Sequence, residues 1–284
     1  MIKQQLTYFQ AQQYFQKLVS SRGGEPPAVT ELLLGITGWT PIELLRQQRE
    51  LLPLSQQQQL EGMIQRYLTG WPVQYLLGHA AFFGHDFLVD PTVLIPRPET
   101  EELVEWVLAD FSQQTMLKVA DIGTGSGAIG ISLKLERPNW QLLLTDLSPA
   151  ALQTAQKNAD RLQAKISAVS GDLLAPLTGK YDVIVSNPPY IAADERPLMD
   201  RSVLEHEPAV ALFAAENGLQ IYRLLAEQLA DKLTATGSLY LEIGFRQAAA
   251  VKKIFQSRFP MAQVSSKKDI AGKDRMVRVR FTGR

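Results

Sequence analysis

Four residues, Asn187, Pro188, Pro189 and Tyr190, place an amide, two prolines and a phenol directly after a short apolar run at residues 183–185. The run predicts a buried strand, and the prolines end it because neither offers a backbone N–H. The result is a rigid tip that presents an amide side chain and bare backbone carbonyls. Such a tip can accept both hydrogens of a planar N–H₂ group. The simpler alternative is a strand that ends in a Pro-Pro turn without further function.

A glycine-rich loop after another predicted strand, residues 117–121, is the second candidate site. The loop consists of Gly123, Thr124, Gly125, Ser126 and Gly127. Glycines let the backbone turn tightly and let a ligand approach, and the helix that follows points N–H groups at that ligand. Asp146 ends the next predicted strand, where a carboxylate can accept both ribose hydroxyls of an adenosine. The glycine spacing also fits a dinucleotide, so it leaves the adenosine ligand open, and a tight turn alone is the simpler alternative.

Two further candidates, Asp172 and Leu173, follow the third predicted strand. Ligands in parallel sheets bind outside the carboxyl ends of the strands, so the amide tip, the glycine loop, Asp146 and this pair should converge on one crevice. We expect Asn187 to border the cofactor as well as the substrate. Arg97, between Pro96 and Pro98, is a candidate for the same wall.

The elements that must position these residues alternate between strand and helix from residue 117 onward. This alternation predicts an α/β fold, a doubly wound, mostly parallel sheet with helices on both faces and an antiparallel last strand. Near the end, a long helix is predicted over 219–233 and a strand over 237–243. We expect a helical domain over 1–70 that grips a partner, a linker and β-hairpin over 71–98 that turns near Gly84, and the α/β domain over 99–284. The glutamine run at 56–59 is predicted to form a solvated helix face.

Composition limits the classes of function. The 284 residues hold 29 Lys+Arg and 29 Asp+Glu, so the zero net charge argues against nucleic acid or an anionic membrane as a partner. Cysteine is absent, which excludes disulfides and cysteine-ligated zinc and fits a reducing cytosol. We expect no leader after Met1, no membrane helix and a monomer. No metal is expected either, because adjacent residues such as Glu205 and His206 do not face one site.

Several segments resemble known families. The glycine loop with Asp146 resembles the S-adenosylmethionine site of class I methyltransferases, and residues 187–190 match the Asn-Pro-Pro-Tyr motif of those that methylate planar nitrogens. Residues 70–78, 82–84 and 93–101 resemble the release factor glutamine methyltransferase family. The resemblance covers nearly the whole chain. At Leu173 bacterial members often carry an aromatic residue against the adenine, although an aliphatic side chain can pack there too.

The resemblance implies a Rossmann-like class I methyltransferase in the cytoplasm that uses S-adenosylmethionine and releases S-adenosylhomocysteine. The implied substrate is the glutamine of the Gly-Gly-Gln loop of class I peptide chain release factors. We expect Asn187 Oδ1 and the Pro188 carbonyl to accept the two N–H bonds of the substrate amide, and Tyr190 to pack on the amide plane. Arg97 and Pro98 should border the slot, and no general base is evident.

Other functions remain open. The same tip could serve another protein glutamine, such as one on a ribosomal protein, or an exocyclic amine of a flipped DNA or RNA base. A nicotinamide oxidoreductase or a non-catalytic adenosine-binding module would leave residues 187–190 without a role. Zero net charge disfavours the nucleic-acid alternative.

Overall fold

The computed structural model of the protein describes residues 4–283, so the expectation about a leader at Met1 lies outside the described residues. The chain forms two compact units. One holds the residues up to His79 together with Asp200–His206, and the other holds Ala80–Met199 and the residues from Glu207 onward.

The first unit is helical. Its helices are α1 (Tyr8–Ser21), α2 (Pro27–Thr37), α3 (Pro41–Arg46), α4 (Leu54–Tyr67), α5 (Val73–Leu77) and, later in the chain, α9 (Arg201–His206). Thr7 and Thr40 each cap a helix by accepting a backbone N–H three residues on, and Pro41 stands at the first position of α3. Helix α5 lies in the segment that the sequence predicted to be an extended linker.

The glutamine run on α4 is not uniformly solvated, which corrects the sequence-based expectation. Gln57 is buried; its Oε1 accepts from the Leu6 backbone N–H at 2.9 Å and its Nε2 donates to the Gln4 carbonyl at 3.1 Å. Inside a core, a glutamine side chain can make the hydrogen bonds with backbone groups that water makes at the surface. On α1 the buried stripe includes Tyr8, whereas Phe9 is 49% exposed.

The second unit starts at Ala80, one residue into the hairpin of β1 (His79–Phe82) and β2 (His85–Leu88), which turns at Phe83 and Gly84 as expected. Its main sheet has seven strands in the order β5-β4-β3-β6-β7-β9-β8. They are β3 (Lys118–Ile122), β4 (Gln141–Asp146), β5 (Ser167–Ser170), β6 (Tyr181–Ser186), β7 (Leu233–Glu242), β8 (Gln263–Lys268) and β9 (Asp274–Arg280). The final strand runs antiparallel to both of its neighbours, which confirms the predicted fold class.

Helices cover both faces of this sheet. They are α6 (Pro98–Asp110), α7 (Ala128–Glu136), α8 (Pro149–Arg161), α12 (Gln220–Gln228) and α13 (Ala248–Arg258), with short turns α10 (Ala209–Leu212) and α11 (Ala215–Gly218) between them. Successive side chains of β3 point to opposite faces of the sheet and therefore belong to two different hydrophobic cores. Val119 packs with α6, α7 and α8, and Ala120 packs with α12 and α13. No helix of residues 4–283 is long and apolar enough to cross a membrane.

The predicted long helix over 219–233 is wrong at its end. Helix α12 stops at Gln228, a 3-10 turn covers Leu229–Asp231, and β7 begins at Leu233 rather than 237. The Tyr181 backbone N–H donates to the Lys232 carbonyl at 2.8 Å, and Leu233 pairs with Tyr181. Pairing with β6 therefore recruits residues whose local sequence carries no helix-ending signal before Gly237.

Candidate active site

A cavity of about 370 Å³ opens at the carboxyl ends of β3, β4 and β6 in the second unit, a size within the roughly 300–1,000 Å³ usual for small-molecule pockets. Most of the predicted site residues line it: Arg97, Gly123, Thr124, Gly125, Ser126, Asp146, Asp172, Leu173, Asn187 and Pro189. Gly127, Pro188 and Tyr190 are not part of its lining. The amide tip and the glycine loop thus share one cavity.

The glycine loop joins β3 to α7 with two residues open to the cavity. Gly123 and Gly125 have φ of +65° and +56°, and a Cβ built on either would meet no atom within 4 Å. Gly127 differs, because a Cβ there would lie 2.6 Å from Ile131 Cδ1. The first two glycines therefore leave space for a ligand, and the third lets α7 pack closely.

Asp121, behind this loop, is fully buried at the end of β3. Its Oδ2 accepts from the Thr124 hydroxyl at 2.6 Å and from the Gly130 backbone N–H at 2.9 Å. Its Oδ1 has no hydrogen-bond partner among residues 4–283. Burial raises the pKa of Asp121 to about 6 despite those two hydrogen bonds.

Asp146, at the end of β4, holds the same loop from the other side. Its Oδ2 accepts from the Gly125 backbone N–H at 2.9 Å, and its Oδ1 accepts from the Ser148 backbone N–H at 2.8 Å. Each carboxylate oxygen keeps a further lone pair, since an ionised carboxylate offers about four acceptor sites. The side chain can therefore fix the loop and still accept ligand hydroxyls.

The pair after β5 lies on the cavity wall. Leu173 adopts φ of +47°, an uncommon conformation for a non-glycine residue that tends to occur at ligand sites. Its side chain is half-buried and packs against the core on the α12 side of the sheet, while Asp172 is exposed. The strained backbone thus presents an aliphatic side chain at the cavity.

The amide tip after β6 is held at several points. The Ser186 hydroxyl donates to the Ile122 carbonyl at 2.7 Å, and the Gln247 side chain donates to the Tyr190 carbonyl at 2.9 Å. The Tyr190 hydroxyl donates to Glu242 Oε1 at 3.2 Å. The pKa of Tyr190 is raised mainly by burial, and the Glu242 carboxylate raises it further. The phenol thus faces Glu242, and its predicted packing on a substrate amide stays a prediction.

Arg97 reaches the cavity and also forms an ion pair. Its guanidinium contacts Glu207, whose side chain is only 1% exposed. The other oxygen of Glu207 accepts from the Ile95 backbone N–H at 3.2 Å. This pair joins the segment before α6 to residues 208–213, which add Pro208, Val210, Ala211 and Phe213 to the wall.

Sequence reasoning missed residues 208–213 and three polar side chains, Thr100, Asn158 and Glu242. Asn158 is fully buried on α8; its Nδ2 donates to the Ser126 carbonyl at 2.9 Å, and its Oδ1 accepts from the Leu88 N–H at 2.7 Å. Two signals were available in the sequence: Asn158 is a polar residue on the alanine face of α8, and Glu242 is a carboxylate at the end of an apolar strand. Residues 208–213 carry no comparable signal.

Comparisons with known proteins find two matching family models and similar curated proteins. The family model described as methyltransferase small domain matches residues 102–206, and the one described as PrmC N-terminal domain matches residues 10–78. A protein named release factor glutamine methyltransferase from Enterococcus faecalis is 42% identical over 95% of this chain and 97% of its own length. One of the same name from Lactococcus lactis is 50% identical over 74% of this chain and 77% of its own length.

Solved structures share the fold. A methyltransferase from Pyrococcus furiosus, 18% identical, matches 78% of this chain and 98% of its own with a TM-score of 0.54. At that identity the likeness concerns the fold alone.

Proposed function

Because the chain belongs to the release factor glutamine methyltransferase family, we propose that it methylates the side-chain amide nitrogen of the glutamine in the Gly-Gly-Gln loop of class I peptide chain release factors. The observation that carries the proposal is the position of Asn187 on the wall of the cavity that also contains Gly125 and Asp146. One cavity then holds an acceptor for an amide N–H₂ beside a place for the methyl donor.

The residues present fit S-adenosylmethionine as that donor. Gly123 and Gly125 leave open space where side chains would stand, and Asp146 keeps lone pairs for ribose hydroxyls. Leu173 and Ile129 offer apolar surface for a base. When bound, the donor supplies an electrophilic methyl group on a sulfonium.

The chain's own contribution is positioning and electrostatics. An amide nitrogen is a weak nucleophile because its lone pair is delocalised, so precise placement supplies much of the acceleration. Asn187 Oδ1 and the Pro188 carbonyl accept the two substrate N–H bonds and stabilise positive charge that grows on the nitrogen. The amide proton is acidified as the new bond forms and leaves to water.

The test incubates the protein with S-adenosylmethionine and a purified release factor, and mass spectrometry locates the product. One added methyl on the glutamine of the Gly-Gly-Gln peptide is expected. A release factor with alanine in place of that glutamine, a ribosomal protein extract and a nucleic-acid mixture complete the panel. Methyl transfer to one of the last two, with none to the release factor, would contradict the proposal.

Asn187→Ala tests the residue on which the proposal depends. Transfer should fall by at least about 100-fold, because the variant loses an acceptor aimed at the developing charge, while cofactor binding survives in part. Asn139→Ala is the matched control, because Asn139 is an exposed asparagine outside the cavity. Wild-type rates in Asn187→Ala would remove Asn187 from the mechanism.

A further inference from the structure

A buried carboxylate lies directly behind the amide tip. Glu242 is the last residue of β7 and only 3% of its surface is exposed, although it ends a run of apolar residues. A buried carboxylate is destabilising unless it accepts hydrogen bonds. Both of its oxygens do so. Oε2 accepts from the Thr100 hydroxyl at 2.6 Å, and Oε1 accepts from the Tyr190 hydroxyl at 3.2 Å.

The hydroxyl of Thr100 connects this carboxylate to Asn187. A hydroxyl has a single proton, and the proton of Thr100 is directed to Glu242. Its oxygen is therefore left as an acceptor, and Asn187 Nδ2 donates to it at 3.2 Å. The contact assigns the two ends of the Asn187 amide, with nitrogen toward Thr100 and oxygen away from it.

The orientation of that amide decides what Asn187 can bind. The two ends of an asparagine amide have the same shape but opposite hydrogen-bonding character. With Oδ1 free, the side chain accepts an N–H from the substrate. With the amide rotated by half a turn, two N–H₂ groups would face each other, and the contact would be repulsive.

We propose that Thr100 and Glu242 are positioning residues that hold Asn187 in the acceptor orientation and polarise its amide. Hydrogen bonds in series polarise one another, so Glu242 in its ionised form increases the electron density on Asn187 Oδ1. Both effects matter most when positive charge grows on the substrate nitrogen. The inference rests on the proposed methyl transfer to an amide, and it adds two residues that need not touch the substrate nitrogen.

The first experiment compares Thr100→Val with Thr100→Ser. Valine keeps the branched shape without the hydroxyl, and serine keeps the hydroxyl. For Thr100→Val we expect kcat to fall between about 10- and 100-fold, with KM for the release factor and Kd for S-adenosylmethionine changed less than about threefold. Thr100→Ser should retain at least about a third of the wild-type kcat. Equal kcat values in Thr100→Val and wild type would overturn the inference.

A second background separates positioning from a general loss of structure. Asn187→Asp makes both ends of the side chain acceptors, so its orientation no longer matters. In the Asn187→Asp background, the Thr100→Val substitution should therefore reduce kcat by less than about threefold. The same loss in both backgrounds would show that Thr100 does not act through Asn187. If Thr100→Val fails to fold, as judged by its melting temperature, Thr100→Ala, which removes the same hydroxyl, takes its place with the same expectations.

A readout without turnover distinguishes this inference from the proposed function. In ¹⁵N-asparagine-labelled protein, the Asn187 side-chain N–H₂ signals are identified by their absence in Asn187→Ala. Thr100→Val should shift them and speed their exchange with water, while Thr100→Ser should leave them near the wild-type positions. Signals unchanged in Thr100→Val would refute the positioning contact. Absence of transfer by the wild type would instead count against the proposed function.

Discussion

The carboxylate of Asp146 accepts a 2.9 Å hydrogen bond from the backbone N–H of Gly125, so the end of β4 holds the loop that follows β3. A second bond, from the Ser148 N–H at 2.8 Å, fixes the carboxylate itself. The residue predicted to bind a ribose is therefore also the anchor of the loop predicted to face the rest of the ligand. Any change at Asp146 should affect both contacts.

Asp146→Ala should raise the Kd for S-adenosylmethionine by roughly 10- to 100-fold, because charge-assisted hydrogen bonds contribute about 1.5–3 kcal/mol each. Isothermal titration calorimetry measures this directly. The control is Asp182→Ala: Asp182 likewise accepts a backbone N–H at 2.9 Å, from Lys118, but at the opposite end of the strands. Unchanged affinity in Asp146→Ala, or an equal loss in Asp182→Ala, would refute the ribose-binding role.

Gly125→Ala and Gly127→Ala should fail in different ways. Both residues have positive φ, so each substitution costs about 1–2 kcal/mol of backbone strain. At Gly125 the new methyl group points into open space of the cavity, whereas at Gly127 it would meet Ile131 Cδ1 at 2.6 Å and Ala155 Cβ at 3.2 Å. We expect Gly127→Ala to lower the melting temperature more, and Gly125→Ala to weaken cofactor binding more.

Differential scanning fluorimetry and calorimetry on the two glycine variants provide both measurements. The reverse order, with cofactor affinity lost mainly in Gly127→Ala, would mean that the ligand does not approach the loop at Gly125. Each variant is the other's control, because the backbone strain is common to both.

The sequence predicted the ends of β3, β4 and β6 because apolar runs followed by glycine, aspartate or proline are local signals. Contacts made over long separations had no such signal. Thr100 and Glu242 stand 142 positions apart, and Arg97 and Glu207 stand 110 apart. Only the sheet order, in which β7 lies beside β6, brings Glu242 behind Asn187. The start of β7 at Leu233 escaped prediction for a related reason, since pairing with β6 overrides the helical pattern there.

Gly218→Ala should disrupt the amide tip from behind. Gly218 has φ of +78°, and a Cβ there would lie 2.0 Å from the Tyr190 carbonyl oxygen, a backbone atom that cannot move without moving the tip. We expect a loss of roughly 2–4 kcal/mol in the free energy of unfolding, from backbone strain plus overpacking, and a fall in methyl transfer. Gly272→Ala is the control, because its φ of +77° carries the same strain with nothing within 4 Å.

Chemical denaturation gives the free energies of unfolding for these two variants, and the release factor assay gives their activity. Equal destabilisation of Gly218→Ala and Gly272→Ala would mean that the backbone of Tyr190 yields freely to the added methyl group. A stable Gly218→Ala variant with full activity would separate the position of Tyr190 from catalysis.

Asp121 should make the stability of the protein depend on pH in the direction opposite to an ion-paired carboxylate. Burial raises its pKa from 3.8 to about 6, so the folded state keeps a proton that the unfolded state releases. Between these two values the folded state binds more protons, and stability therefore falls as the pH rises through this window. Above this window the whole contribution to the free energy of unfolding is lost, which is about 3 kcal/mol for a shift of roughly two pKa units.

Asp121→Asn removes this titration while its Oδ1 can still accept from the Gly130 N–H and the Thr124 hydroxyl. Its Nδ2 would replace the carboxylate oxygen that has no partner within residues 4–283, a penalty that does not vary with pH. Urea unfolding of both proteins is measured at intervals from about pH 4 to 7. The free energy of unfolding of the variant, relative to that of the wild type, should therefore rise by about 3 kcal/mol across this range. Parallel curves would mean that Asp121 is ionised throughout, and that its hydrogen bonds from Thr124 and Gly130 outweigh its burial.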